Sequence, residues 1–301
     1  MKKTINPKLV LMIGLLGAGF SSIFVRFSDA PSLITATFRL GFSVVIMLTF
    51  ILIKKEKQFE NVTLKSIISC AVSGLFLALH FSFWFESLSH TSVASSTALV
   101  CLESIFCAIG YIIFLKGKIH KMGVLAILIS FVGSIIITFG DFSLDGGAIY
   151  GDVLAVLSAL FVAIYTLIGK RQRSSLSTTA YTFITYTSCF IFLLIFDIAT
   201  STSLTSGYDM VDVLMGLCLA VFSTLMGHSI FSWCLKYLSP SFVSSAKLTE
   251  TIFASMLALL IFAEVPTLQQ IVGGAIVIGG VLLYSKYEKT DELAKNESIS
   301  E

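Results

Sequence analysis

The chain has 301 residues, 56% of them hydrophobic and 13% charged, with a formal net charge of +2. Its mean hydropathy of +0.93 and its scarcity of charge exclude a soluble globular domain, in which about a quarter of the residues are charged. The near-neutral balance leaves no basic footprint for nucleic acid.

A helix crosses a bilayer with about 20 predominantly apolar residues, and runs of that kind recur between Leu9 and Ser285. The first, 9–27, follows MKKTINPK and imitates a secretory signal. No small-residue cleavage site leads from it into a soluble stretch, so it reads as a retained helix. Spans at 33–53, 64–88, 93–115 and 122–140 follow, and 150–169, 177–199, 209–235, 241–263 and 268–285 complete a set of ten. Runs such as VLAILISFVGSIIITFG (124–140) are apolar on every side, as a helix in lipid is, and lack the alternation of barrel strands. The expected fold class is an all-α integral membrane protein of ten transmembrane helices with a polar tail at 288–301.

Under that arrangement the N-terminal lysines, the clusters at 54–65, 116–121 and 170–173, Lys236 and the tail lysines share one side, while Arg26 stands alone on the other. The positive-inside bias therefore expects both termini in the cytoplasm, and the expected location is the plasma membrane. Adding or removing one span would destroy the asymmetry. Cys70, Cys101, Cys107, Cys189, Cys218 and Cys234 all fall within expected spans with no CxxC or metal-ligand spacing, and read as small apolar filler; no cofactor or metal is expected.

The two halves repeat. SLSHTSVASSTALVCLESIF (87–106) matches CLKYLSPSFVSSAKLTETIF (234–253) at a constant offset of 147, aligning Glu103 with Glu250 and Ile105-Phe106 with Ile252-Phe253. His80 and His228 fit the same correspondence to within one residue. Two five-helix units are implied, 1–145 and 146–287. Because five is odd, the second unit enters the membrane inverted, an architecture of secondary transporters with the site near the midplane.

SSIFVRF (21–27), Arg39 in the second span, LHFSFWFESLSHTSVASSTALV (79–100), GDVLAVLSALFVAIYTLIGKR (151–171) and GHSIFSWCLKYLSPSFVSS through LLIFAEVPT (227–267) together resemble the EamA-type ten-helix transporters of the drug/metabolite transporter superfamily. The resemblance covers essentially 9–285. It implies export of amino acids, related metabolites or amphipathic compounds by alternating access, usually without ATP. Two departures stand out. Ser104 and Thr251 occupy places where the family's fourth and ninth helices often carry proline, and Gly117 stands where a glutamate often follows the fourth helix, although its second-half counterpart Glu264 is present. Without proline, the backbone hydrogen bonds of those helices are expected to be complete, leaving Ser or Thr side chains as the local cause of any bend.

Ionisable residues inside spans must face a partner or water, since a charge at the bilayer centre costs about 2.5 to 3.5 kcal/mol on insertion scales. Candidates for substrate binding or proton coupling are Glu103, Glu250, His80, His228, Lys247, Trp84 and Tyr165. Lys247 and Glu250 are three apart on an expected helix and could offset each other. Glu103 has no basic neighbour nearby in sequence and needs a partner from another helix. Arg39 sits near the outer border and is expected to pair structurally with an outer acid, Glu86 or Asp29. GLLGAG (14–19), SVASST (92–97) and GGAIVIGG (273–280) permit close helix contact, the last as a packing or dimer face.

The function expected is a secondary exporter of a small polar or amphipathic, amino-acid-like metabolite, with protons as a coupling ion and a monomer or homodimer as the assembly. An importer or uncoupled facilitator of a metabolite or vitamin is the alternative. HExxH, GxSxG and Walker A sequences are all absent from the chain, and so are paired aspartates and a filter loop. An intramembrane enzyme, an ATP-driven pump and a channel are therefore disfavoured.

Overall fold

Local chemistry sets the helix starts. Asn6 accepts the Lys8 backbone N–H ahead of Pro7 at the first helical position. Reciprocal capping boxes join Thr63 with Ser66, Asp209 with Asp212 and Thr267 with Gln270. The computed structural model describes residues 6–54, 58–91, 96, 99–138, 146–204, 207–263, 265 and 267–288.

In the first half the helices are α1 (Pro7–Gly19), α2 (Ser21–Arg26), α3 (Ser32–Lys54), α4 (Leu64–His90), α5 (Glu103–Leu115) and α6 (Lys121–Thr138). The second half holds α7 (Gly146–Gln172), α8 (Thr178–Ala199), α9 (Met210–Cys218), a π-helix (Leu219–His228), α10 (Ser229–Cys234), α11 (Pro240–Lys247), α12 (Glu250–Phe262) and α13 (Leu268–Tyr287). The protein is all-α, with no strand among the described residues. Among those residues seven continuous segments are long and apolar enough to cross a membrane: Pro7–Arg26, Ser32–Ile53, Leu64–His90, Ile149–Gln172, Thr178–Ala199, Met210–Cys234 and Leu268–Tyr287. The fourth, fifth and ninth expected spans correspond to the shorter α5, α6 and α11–α12. Glu264 lies outside the described residues.

Equivalent points of the halves share backbone detail. The turns before Glu103 and Glu250 carry the same bonds at the offset of 147. Leu102 N donates to Leu99 O (3.1 Å) and Ile105 N to Leu102 O (3.0 Å), while Thr249 N donates to Ala246 O (3.0 Å) and Ile252 N to Thr249 O (3.0 Å). These i→i−3 bonds replace the unbroken α-helical ladder expected from the missing prolines. Hydroxyls supply the cause: Ser104 Oγ donates to Cys101 O (3.0 Å) and Thr249 Oγ1 to Ala246 O (2.7 Å), competing with the backbone for those carbonyls. Each glutamate then opens a helix of 13 residues, and each helix ends at a left-handed residue, Lys116 (φ 51°) or Ala263 (φ 56°).

Packing follows the same correspondence. The contact of α4 with α7 is answered by that of the π-helix and α10 with α1, and α5 on α7 by α12 on α1. The contact of α4 with α8 is answered by that of the π-helix with α3, and α6 and α13 pack on one another. That last contact is tight, because a Cβ on Gly133 would lie 2.8 Å from Gly273 O and one on Gly280 would strike Ser130. The GGAIVIGG run is thus a packing face within the chain. Apolar residues such as Phe114 and Leu260 point outward, as lipid requires.

Candidate functional site

Glu103 and Lys247 meet between the halves. Glu103 opens α5 and is 7% exposed, and Lys247 lies in the last turn of α11. Lys247 Nζ donates to both carboxylate oxygens, at 2.8 Å (Oε1) and 3.0 Å (Oε2), and Thr166 Oγ1 on α7 adds a third bond to Oε1 at 3.2 Å. Lys247 Nζ also lies 5.5 Å from the centroid of the Phe231 ring. The partner that Glu103 needed is therefore Lys247, drawn from the other half. A buried pair of this kind repays its desolvation only with good geometry and further hydrogen bonds, both of which it has.

Glu250 occupies the equivalent position and is left out. Lys247 binds Glu103 and not its i+3 neighbour, because the turn at Leu248–Thr249 separates α11 from α12. The Glu250 Oε1 atom is buried without a hydrogen-bond partner. Trp84 Nε1, His228 Nδ1 and Ser223 Oγ share that condition. Such orphaned groups are costly in a membrane interior and call for a bound molecule or water.

The two histidines differ in the same way. His80 Nδ1 is 2.8 Å from Ser158 Oγ, and that hydroxyl also reaches His80 O at 3.1 Å, which locks the ring to α7. Trp84 stacks on the His80 ring at 6.1 Å. His228, at the end of the π-helix, is surrounded by the rings of Phe81 (5.8 Å), Phe231 (6.0 Å) and Tyr165 (6.1 Å). Tyr165 OH is 3.3 Å from Ser232 Oγ.

The structural pair expected for Arg39 does not form. Glu86 binds His90 one turn away on its own exposed face at 3.1 Å. Arg39, 2% exposed, instead turns inward: its Nε donates to Thr224 Oγ1 at 2.7 Å, and its guanidinium lies 4.5 Å from the Phe81 ring centroid. No carboxylate among the described residues lies within ion-pairing distance of it. Its position along α3 suggested snorkelling, but the helix presents it to α4 and the π-helix.

Sequence reasoning missed Ser158, Thr166 and Thr224. Ser158 and Tyr165 are two helical turns apart in an otherwise apolar run, a spacing that puts both on one face and could have exposed the first. Thr224 had no such signal, because a π-helix breaks the 3.6-residue period; widened turns of this kind cluster at functional sites. The same segment accounts for the histidine mismatch. Thr63 and Asp209, which cap α4 and α9, are 146 apart, and His80 and His228 are 148 apart, the surplus falling on the stretch that holds the π turns.

Comparison with known proteins agrees with this picture. The model of the EamA-like transporter family matches twice, at residues 7–139 and 149–286. An uncharacterized transporter of Clostridium kluyveri is 25% identical over 219 residues, covering 71% of this chain and 70% of its own. The uncharacterized transporter YxxF of Bacillus subtilis is 26% identical over 293 residues, covering 94% and 89%. One crystal structure superposes with a TM-score of 0.77 over 93% of this chain and 96% of its own, at 12% identity, which establishes a shared fold.

Proposed function

The chain belongs to the EamA-like transporter family and is a multi-pass membrane transporter, and from that premise we propose that it is a secondary exporter of a small polar or amphipathic metabolite. It works by alternating access between two inverted five-helix halves, 1–145 and 146–287, in the plasma membrane with both termini in the cytoplasm. The observation that carries this reading is the unequal treatment of two equivalent carboxyls: Glu103 holds Lys247, and Glu250 Oε1 holds nothing.

Lys247 is the movable part. In this conformation it ties α11 of the second half to α5 of the first. As the halves rock, the lysine leaves Glu103 for Glu250, three residues along its own chain. Each state then frees one carboxyl, and the freed carboxyl takes up a proton or a cationic group of the solute. The exchange keeps Lys247 paired throughout, so the lysine is never buried alone. Protons are the coupling ion in this scheme.

The test begins with a thermal-shift screen of purified protein against amino acids, nucleosides, vitamins and cationic amphiphiles, since a ligand stabilises the folded state by mass action. Stabilising solutes are then followed by counterflow in proteoliposomes, with and without a pH gradient. Glu103→Gln with Glu250→Gln should insert normally and transport nothing. Wild-type counterflow by that double variant would refute the mechanism, and a steady state indifferent to the gradient would favour an uncoupled facilitator.

A further inference from the structure

Helices α3 and α8 are pinned toward one end and part toward the other, the end that the orientation proposed above puts in the cytoplasm. Thr37 Oγ1 donates to Asp197 Oδ2 at 2.7 Å. A Cβ on Gly41 would lie 3.0 Å from the Phe190 ring, so the two helices touch there as well. Beyond that contact Ile46 and Met47 of α3, Thr179 and Thr182 of α8 and Leu225 of the π-helix surround a cavity of about 360 Å³. Its volume falls within the range of small-ligand pockets, about 300–1,000 Å³. No lining residue is charged, and none bonds to Glu103, Lys247 or Arg39.

The cavity has a polar end and an apolar end. Two of its hydroxyls are spent: Thr182 Oγ1 donates to Thr178 O (2.8 Å), and Ser229 Oγ donates to Thr224 O (3.3 Å) and lies 3.2 Å from Tyr186 OH. The hydroxyls of Thr178 and Thr179, in the first turn of α8, have no partner among the described residues. Phe50, the lining residue nearest the end of α3, is 47% exposed and marks the rim. From Lys54 at that end, Ile46 lies about 12 Å deeper at a rise of about 1.5 Å per residue, near the middle of a hydrocarbon core about 30 Å thick.

We infer that this cavity holds one acyl chain of a glycerolipid from the cytoplasmic leaflet, the chain lying against Ile46, Met47 and Leu225 and its ester carbonyl accepting hydrogen bonds from Thr178 and Thr179. Three features select that occupant. The rim lies within a leaflet, where acyl chains are the solvent. The uncharged lining leaves phosphate or ammonium outside, at the level of the headgroups. The two unspent hydroxyls are donors, and an ester offers them an acceptor that a bare alkyl chain lacks. The site goes beyond the transport reading and takes only its leaflet from it. Because α3 belongs to the first half and α8 and the π-helix to the second, the chain wedges the halves apart at this end and favours the conformation that has the cavity.

The experiment places full-length protein in phosphatidylcholine liposomes doped with a diacyl phosphatidylcholine that carries a diazirine at mid-chain, and maps the photoadducts by mass spectrometry. Adducts should concentrate on 46–50 and 178–182, tenfold or more above the exposed α5 surface at Ile113 and Phe114. The dialkyl ether analogue, which lacks the carbonyls, should label the cavity several-fold less. Thr178→Val with Thr179→Val should bring the ester probe down to the ether level. Thr179→Phe, which fills the mouth, should cut cavity labelling fivefold or more and leave α5 labelling unchanged. Should these variants fail to fold, wild type still decides: excess unlabelled diester lipid should displace the probe from the cavity better than excess diether lipid. Adducts spread evenly over the lipid-facing helices, ester and ether lipids that behave alike, or labelling of the cavity only by a single-chain monoacylglycerol with the same diazirine would each overturn the inference. Labelling is read without solute, so failure of counterflow strikes the transport reading and leaves this one standing.

Discussion

Glu103 and Glu250 stand at the same register of two halves with the same turn before them, the same helix length after them and the same left-handed ending. One is held by Lys247 and Thr166, and the other keeps a buried oxygen with no partner. The backbone repeats, but the side-chain chemistry does not, and the difference traces to a single substitution between the halves, Lys247 where the first half has Val100. A symmetric scaffold thus carries an asymmetric charge.

Lys247→Met probes that contrast most harshly. It strands Glu103 in the interior and should cost about 3–5 kcal/mol in thermal denaturation of the detergent-solubilised protein, since breaking a buried pair leaves an uncompensated charge. Adding Glu103→Gln should return most of that loss. Glu250→Gln, by contrast, removes no protein hydrogen bond from Oε1 and should cost less than Lys247→Met while stopping counterflow. If the two glutamine variants destabilise equally, the asymmetry described here is wrong.

The histidines offer a milder version of the same comparison. Ser158→Ala takes away the hydroxyl held by His80 and should cost about 1–3 kcal/mol, whereas His228→Gln, at a ring whose Nδ1 has no partner, should cost less. Melting curves of the two variants decide the order. The smallest effect belongs to the membrane edge. Glu288 Oε1 accepts the Ser239 backbone N–H at 2.6 Å at the start of α11. Burial pushes its carboxyl above the ordinary value of 4.5, and Ser239 and Lys8 offset only part of that. The folded state therefore holds this proton more tightly than the unfolded chain, and the stability it contributes is full below pH 4.5 and declines as pH rises through the raised value. Glu288→Gln should flatten that decline, as measured by melting temperature against pH.

Much of this was legible in the chain. Apolar runs located the helices, and the match of CLESIF with TETIF located both glutamates, because a repeat preserves the register of chemically demanding positions. The pairing of Glu103 was not legible. Helical spacing favoured Lys247 with Glu250, and only the hydroxyl-driven turn at Leu248–Thr249 turns the lysine away. Arg39 was misread for a related reason: distance from a span border says how far a side chain could reach, while the neighbouring helices decide which way it points. The π-helix escaped because hydrophobic periodicity assumes the α-helical period that it abandons.

The endings of α5 and α12 also matter at the bench. Lys116 and Ala263 adopt a conformation that costs a residue with a Cβ about 1–2 kcal/mol and that glycine or asparagine takes more readily. Ala263→Gly and Lys116→Asn lie a full helix length from either glutamate. They offer a way to harden the protein for purification and cryogenic imaging while its transport chemistry stays as found.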